Sequence, residues 1–395
     1  MHPKVLQLIS SFHQGGSERQ AVQLTRLLKE TQQYQVDLAC LDKSGALLDE
    51  VAQLGLAEVP EYPLTGFYDR NALVQVRRFA LHLQRRCIDV IQTHDFYSNI
   101  FGMAAARLAG VRVRIAARRE TIGWRTPAQK IVERQAYRFA HTVVANSEAV
   151  RQQLIVEGVA DRKIVTIHNG INLDRLALPA GFKRTAALAS FGLPTAPHLR
   201  FVTIIANLRH PVKDHATFLR AARQVHAMFP AARFIIAGEG ELTGAMRQLA
   251  AQLGINDRVF FIGRAERVAE LLGATDVGVL SSKAEGFSNS ILEYMAAACP
   301  VVVTDVGGAR EAVIDGESGY IVPAGDDKQM AARIITLLEN TEQARCLGER
   351  GRVIAEQRFS CAAQLAATRS LYDRLLAANA PRLARRINSG QREVA

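Results

Sequence analysis

RFVTIIANLRHPVKDHATFLRAARQVHAMFPAARFIIAGEGEL, residues 200–242, sets the pattern of the whole chain. An apolar, β-rich run at Phe201–Ala206 passes through a polar turn into a helix that begins near Asp214. A second run follows at Phe234–Ala237. A strand–helix–strand unit of this kind predicts parallel strands joined by crossover helices. Downstream the alternation continues through Val259–Ile262, Val277–Leu280 and Val301–Thr304. Upstream it runs through Val5–Ile9, Val36–Leu41, Val90–Thr93, Val113–Ala116, Thr142–Ala145 and Ile164–Ile167. Helical spacing fills Ser17–Lys29 and Ser147–Val156, with Ser17 and Ser147 read as caps and the acids Glu18 and Glu148 just inside the first turn. From Asn169 to Pro197 the strand signal lapses, and Gly181, Gly192, Pro194 and Pro197 read as a hinge. The pattern predicts an α/β protein of two doubly wound domains facing a central cleft. The first spans 1–190 and the second 191–358, with a helix at about 360–377 packing back on the first and a basic tail at 378–395. Such sheets bind ligands beyond the C-terminal ends of their strands, which directs attention to the loops that follow strands.

Composition bounds the function. A chain of 395 residues suits two domains of about 150–200 residues. With 48% apolar and 22% charged residues, it is expected to fold over most of its length. No apolar run approaches the roughly 18–20 residues that span a bilayer, and MHPKVLQLIS carries no cleavable signal pattern. Cys40, Cys87, Cys299, Cys346 and Cys361 form no CxxC pair, so neither a zinc site nor a disulfide framework is expected, and the expected compartment is a reducing cytoplasm. The net charge is +11, and Arg107–Arg138 holds nine Lys or Arg against only Glu120 and Glu133. Arg77, Arg78, Arg85 and Arg86 form a second cluster on a helix predicted over Asn71–Cys87. Nucleic acid is not an expected partner, because no binding module accompanies the charge and aromatics are only 6%. A solvated surface and an anionic membrane surface both remain open.

The chemistry concentrates in EGFSNSILEYMAAAC, residues 285–299, directly after a strand and leading into a helix. Gly286 allows a tight turn, and Ser288, Asn289 and Ser290 suit the cap and first turn. A helix start offers unpaired N–H groups and a partial positive charge, which suits a diphosphate. Glu285 falls in the loop and Glu293 about one turn into the helix, so both carboxylates reach one ligand from different ends. On spacing alone the pair also reads as a capping acid and a solvated helical glutamate. Arg209 and Lys213 place two cations at another strand-to-helix turn, where charge growing on a leaving group would be stabilised. SFHQGGSERQ, residues 11–20, is not GxGxxG, so the dinucleotide fingerprint is absent.

This order of strand, Glu-Gly-Phe, small polar residues and Ile-Leu-Glu resembles the Glu–x7–Glu signature of retaining family-4 glycosyltransferases, the glycosyl transferases group 1 of the GT-B fold. The resemblance spans roughly residues 4–375. It implies two Rossmann-like domains, an N-terminal acceptor side and a C-terminal side that binds the nucleotide sugar. By resemblance, Glu285 contacts the donor sugar, Glu293 the ribose, and Arg209 and Lys213 the diphosphate. Gly15 and Gly16 close over the donor phosphates, and His94 stands near the reacting centre. Gly238 lets the nucleotide approach, Arg264 lies by the base, and Gly286, Phe287, Ser288 and Asn289 complete the donor site. Asn169-Gly170 reads as a turn and interdomain hinge. His210 departs from the small or polar residue expected there and is assigned no role.

The resemblance further implies a UDP-sugar or GDP-sugar co-substrate with no cofactor and no metal. The sugar would pass to a glycan, a lipid-linked acceptor or a polysaccharide precursor, with retention of anomeric configuration. The protein would be cytoplasmic or peripheral on the inner face of the membrane. A nucleotide-sugar epimerase of the same architecture would carry further acid–base carboxylates and histidines, and no such set is present. A non-catalytic nucleotide-sugar-binding protein is separated from an enzyme by a turnover assay.

Overall fold

The computed structural model describes residues 2–13, 15–56, 58–66, 69–121 and 125–380. The basic tail predicted at 378–395 lies, from residue 381 onward, outside the described residues. The N-terminal sheet comprises β1 (Lys4–Ile9), β2 (Gln35–Cys40), β3 (Val90–Thr93), β4 (Val113–Arg118), β5 (Thr142–Ala145) and β6 (Ile164–Thr166). The second comprises β7 (Arg200–Ile205), β8 (Ala232–Ala237), β9 (Val259–Gly263), β10 (Val277–Leu280), β11 (Val301–Thr304) and β12 (Tyr320–Val322). Every strand pairing is parallel. Continuous Val, Ile and Leu runs explain this: β1, β8 and β10 are buried on both faces, as strands covered by crossover helices must be.

The orders are β2-β1-β3-β4-β5-β6 and β12-β11-β10-β7-β8-β9. Each sheet therefore reverses direction once, between β1 and β3 and between β7 and β10. At those switch points neighbouring strands send their following loops apart and leave a crevice. The loops after β7 and β10 hold Arg209, Lys213 and Glu285, so topology brings Glu285 beside a loop that lies far from it in sequence.

One feature of the chain's organisation differs from the sequence expectation. Residues 169–197 are not an open hinge: Ile171 and Leu176 pack into the core beside Leu280 and Ile291, and Leu188 packs beside Phe201 and Leu271. The chain thus joins the second domain soon after β6, well before residue 190, because these apolar side chains find their partners there. The last helix, Cys361–Ala378, lies on the first sheet. Its Tyr372 is fully buried with Val5, Val90 and Val113, and its hydroxyl donates to Gln92 Oε1 at 2.7 Å. The short strand Tyr320–Val322 was not read from the sequence, since three residues carry too little alternation to register.

Tyr294 fixes the helix that carries Glu293. Its buried hydroxyl accepts from Ile205 N–H at 2.7 Å and lies 3.1 Å and 3.2 Å from the carbonyl oxygens of Thr203 and Val279. It thereby pins the helix to β7 and β10. Tyr294→Phe leaves a buried N–H without a partner and is expected to lower unfolding free energy by about 1–3 kcal/mol. Chemical denaturation checks this, with an unchanged midpoint counting against the role.

Candidate active site

A cavity of about 810 Å³ lies between the two sheets and is lined from both domains. Of the residues expected at a site, Gly15, Gly16, Arg209, Lys213, Gly238, Arg264, Glu285, Phe287, Ser288, Asn289 and Glu293 line it. His94 and Gly286 do not.

The helix Asn289–Ala296 begins at Ser288, whose side chain makes no capping bond. The first N–H groups therefore remain available to a ligand. Ser290 Oγ donates to the Ile205 carbonyl at 2.8 Å, which docks the helix start against the end of β7. Glu293 is enclosed one turn inside, and burial raises its pKa while Arg19 and Arg175 draw it down. Those two arginines line the cavity but come from the first helix and from the segment after β6. No local motif in the sequence announced them.

Glu285 Oε1 accepts from Lys213 Nζ at 2.5 Å and from Ser282 Oγ at 2.7 Å. The two expected contacts, one for sugar and one for diphosphate, are thus paired with each other. An ammonium has three donors, so Lys213 retains capacity for a phosphate. Its backbone is held as well: Ser281 Oγ lies 2.9 Å from the Lys213 carbonyl, and Lys283 N–H donates to the Val212 carbonyl at 2.8 Å. Arg209, by contrast, is exposed on its loop.

Glycines permit close backbone packing at two of these positions. Gly238 has φ +155°, and a Cβ there would stand 2.0 Å from the Ala206 carbonyl oxygen, so the close meeting of the loops after β7 and β8 requires glycine. At Gly286 a Cβ would lie 2.0 Å from the Arg119 carbonyl oxygen, where the two domains touch. It stands at the contact between the domains and does not line the cavity, where the donor-site expectation had placed it.

The first helix starts at Gly16 with Gly15 as an uncapped N-cap, so Ser17 lies inside the first turn and is not the cap. Glu18 folds back over this start, its Oε2 about where a Gly15 Cβ would be. Burial, with a smaller push from Asp95, raises the Glu18 pKa to about 7. The anion site expected at Gly15 and Gly16 therefore carries its own acid, half neutralised near pH 7.

His94 also needs correction. It is 1% exposed and is not among the residues that line the cavity. Gln7 Nε2 donates to Tyr372 Oη at 3.0 Å, which turns Gln7 Oε1 toward His94 Nε2 at 2.7 Å. His94 Nε2 must then carry the proton, leaving Nδ1 to face Arg119 Nη2 at 3.5 Å. Burial, then Arg119, depress the His94 pKa well below normal, which agrees with a neutral ring. The side chain beside it that lines the cavity is Arg119.

Bonds across the cleft hold the two domains together. Asn169 Nδ2 donates to the Phe287 carbonyl at 3.0 Å and to Asn289 Oδ1 at 2.9 Å. Thr121 Oγ1 donates to the Glu285 carbonyl at 2.7 Å. Glu311 accepts from Glu148 N–H at 2.9 Å and lies 2.8 Å from His168 Nε2. Asn169, read as a hinge, is a direct tie between the domains.

Two facing doubly wound domains thus bring cations and carboxylates together on one cleft between two sheets. The family profile described as Glycosyltransferase Family 4 matches residues 14–175, and that described as Glycosyl transferases group 1 matches residues 200–340. The chain belongs to this family of GT-B glycosyltransferases.

It is similar to D-inositol 3-phosphate glycosyltransferase 2 of Catenulispora acidiphila, 31% identical over 259 residues, which cover 62% of this chain and 59% of that protein. It is also similar to N-acetyl-alpha-D-glucosaminyl L-malate synthase of Bacillus anthracis, 38% identical over 128 residues, covering 32% of this chain and 34% of that one. The chain thus matches about three fifths and one third of the length of these relatives. In fold it is similar to Anabaena HepE, solved in complex with UDP-glucose, with a TM-score of 0.84, 22% identity, and coverage of 94% of this chain and 100% of that chain.

Proposed function

We propose that this protein transfers a sugar from a nucleoside diphosphate sugar to an acceptor, with retention of anomeric configuration. The observation that carries the reading is the convergence of Arg209, Lys213, Glu285 and Glu293 on one interdomain cavity, around an uncapped helix start. HepE binds UDP-glucose in the same fold, which favours a UDP-sugar.

In this reading Glu293 accepts from the ribose, Glu285 accepts from hydroxyls of the transferred sugar, and the helix start meets the diphosphate. As the anomeric bond breaks, negative charge grows on the leaving phosphate, and Lys213 and Arg209 stabilise it. These cations do the work that a metal does elsewhere, so the reading needs no metal. The ties through Asn169 and Thr121 hold the first domain over the sugar and limit the access of water. The leaving phosphate takes the proton of the attacking hydroxyl on the face it departs from, and the new bond forms on that same face. A screen of UDP- and GDP-sugars, following release of nucleoside diphosphate with and without lipid-linked acceptors, tests this. No release with any donor removes the reading.

The acceptor side is read as an anionic membrane surface. Five of the nine cations between Arg107 and Arg138 are engaged within the protein and do not serve it. Arg118 and Arg125 pair with Glu133, Arg112 and Arg114 bond backbone carbonyls, and Arg119 lines the cavity. On the helix Arg70–Arg85, Phe79, Ala80 and Leu83 face the core, and Arg86 beyond its end pairs with Asp37. The opposite face is what remains: Leu73, Val74 and Leu81 are more than half exposed, interleaved with exposed Arg77 and Arg85. A face that pairs apolar and basic side chains suits an interface with anionic lipid, and each basic residue there contributes about 1 kcal/mol. Among the described residues no helix is long and apolar enough to cross a membrane.

Co-sedimentation with anionic vesicles is expected at low salt and is expected to fall at high salt. Leu73→Ser with Leu81→Ser should weaken it. Binding that ignores lipid charge, or none at low salt, returns the acceptor to the soluble phase.

A further inference from the structure

Arg119 follows β4 and brings an unneutralised cation into the cavity. Its Nη1 donates to Asn169 Oδ1 at 2.7 Å, its Nη2 faces His94 Nδ1, and its Nε–H is buried without a partner among the described residues. Both braces are neutral, an amide oxygen and an imidazole. They aim the guanidinium without quenching it. Among the described residues no carboxylate forms an ion pair with Arg119, and Glu18 acts on it only at longer range. Burial lowers its pKa to about 10, so it stays charged near neutral pH. A buried cation is costly unless an anion meets it, and here the protein supplies the orientation but not the anion.

Position narrows what that anion is. The Arg119 carbonyl lies against Gly286, and Thr121, two residues on, bonds the Glu285 carbonyl. Arg119 therefore stands at the Glu285 end of the cavity, while Arg19 and Arg175 attend Glu293. Arg209 and Lys213 already serve the diphosphate from the other domain.

We propose that Arg119 seats an acidic group, a carboxylate or phosphate, carried either by the transferred sugar or by the acceptor where it meets that sugar. The planar guanidinium matches such a group with paired N–H bonds. The inference rests on the glycosyl-transfer reading and deepens it, because it makes one of the two substrates an acid at the reacting end.

Calorimetry on the full chain tests it, with wild type, Arg119→Gln and Arg119→Lys titrated with UDP, UDP-glucose and UDP-glucuronate. UDP should bind all three proteins alike. If the acid belongs to the sugar, wild type prefers UDP-glucuronate over UDP-glucose by at least about tenfold. Arg119→Gln erases that preference and Arg119→Lys keeps part of it. If the acid belongs to the acceptor, the two donors bind alike, and UDP-loaded wild type binds inorganic phosphate or malate in a way that Arg119→Gln abolishes.

The proposal falls if neither arm shows a preference that depends on Arg119. It falls too if Arg119→Gln weakens UDP and both donors equally, which would assign the residue to the diphosphate. Failure of wild type to bind UDP or GDP at all would overturn the nucleotide-sugar reading itself and this inference with it.

Discussion

Lys213→Ala and Arg209→Ala are each expected to lower turnover by about 10²–10³, the scale of removing one group that stabilises charge in a transition state. The two should differ in the ground state. Lys213 is half-buried and bonded to Glu285, so its loss leaves a carboxylate facing the diphosphate without its cation. Arg209 is exposed and its loss disturbs no described ion pair. Lys213→Ala should therefore weaken binding of the free diphosphate as well as slow turnover, while Arg209→Ala acts mainly on turnover. Neither should change thermal stability much, since both side chains lie on loops at the cleft. Steady-state kinetics with the donor found by screening decides the matter, and wild-type turnover in both variants would remove the leaving-group assignment.

Glu293→Ala is expected to weaken the free nucleoside diphosphate and the intact donor alike, by about 1.5–3 kcal/mol for hydrogen bonds to a charged group. Glu285→Ala should spare the free diphosphate and damage only the donor complex, because its proposed partner is the sugar. Calorimetry with both ligands separates the roles, and the reverse pattern exchanges them. Stability supplies a control. A carboxylate whose pKa burial raises binds protons more readily folded than unfolded. Its ionised form thus costs folding free energy above the ordinary carboxylate pKa, and that cost fades as pH falls through the raised value. Glu293 is such a group. Glu293→Gln should accordingly lose nucleotide affinity at neutral pH without losing thermal stability, which separates a binding role from a structural one.

The sequence by itself determined the two sheets and the candidate loops that follow their strands. Runs such as Val277–Leu280 and Val301–Thr304 are buried on both faces, so their continuous apolar character needs no knowledge of neighbours. The residues from Glu285 to Glu293 were legible for a related reason: a tight turn followed by a helix start is local chemistry, written in adjacent residues. What depends on pairing between distant segments was not legible. His94 reads as a residue at the mouth of the sheet, yet it is buried against Gln7, and Arg119 beside it lines the cavity. Glu18 reads as a first-turn acid, yet it folds over Gly15 beside Asp95. The hinge expected at 169–197 is occupied because Ile171, Leu176 and Leu188 find apolar partners on the second domain. The charge excess of Arg107–Arg138 is real in sequence but mostly engaged inside the fold, since burial and ion pairs with Glu133 and Glu157 are set by how helices meet. Local periodicity decides which backbone forms; which side chain reaches the cleft is decided by packing between segments far apart in the chain.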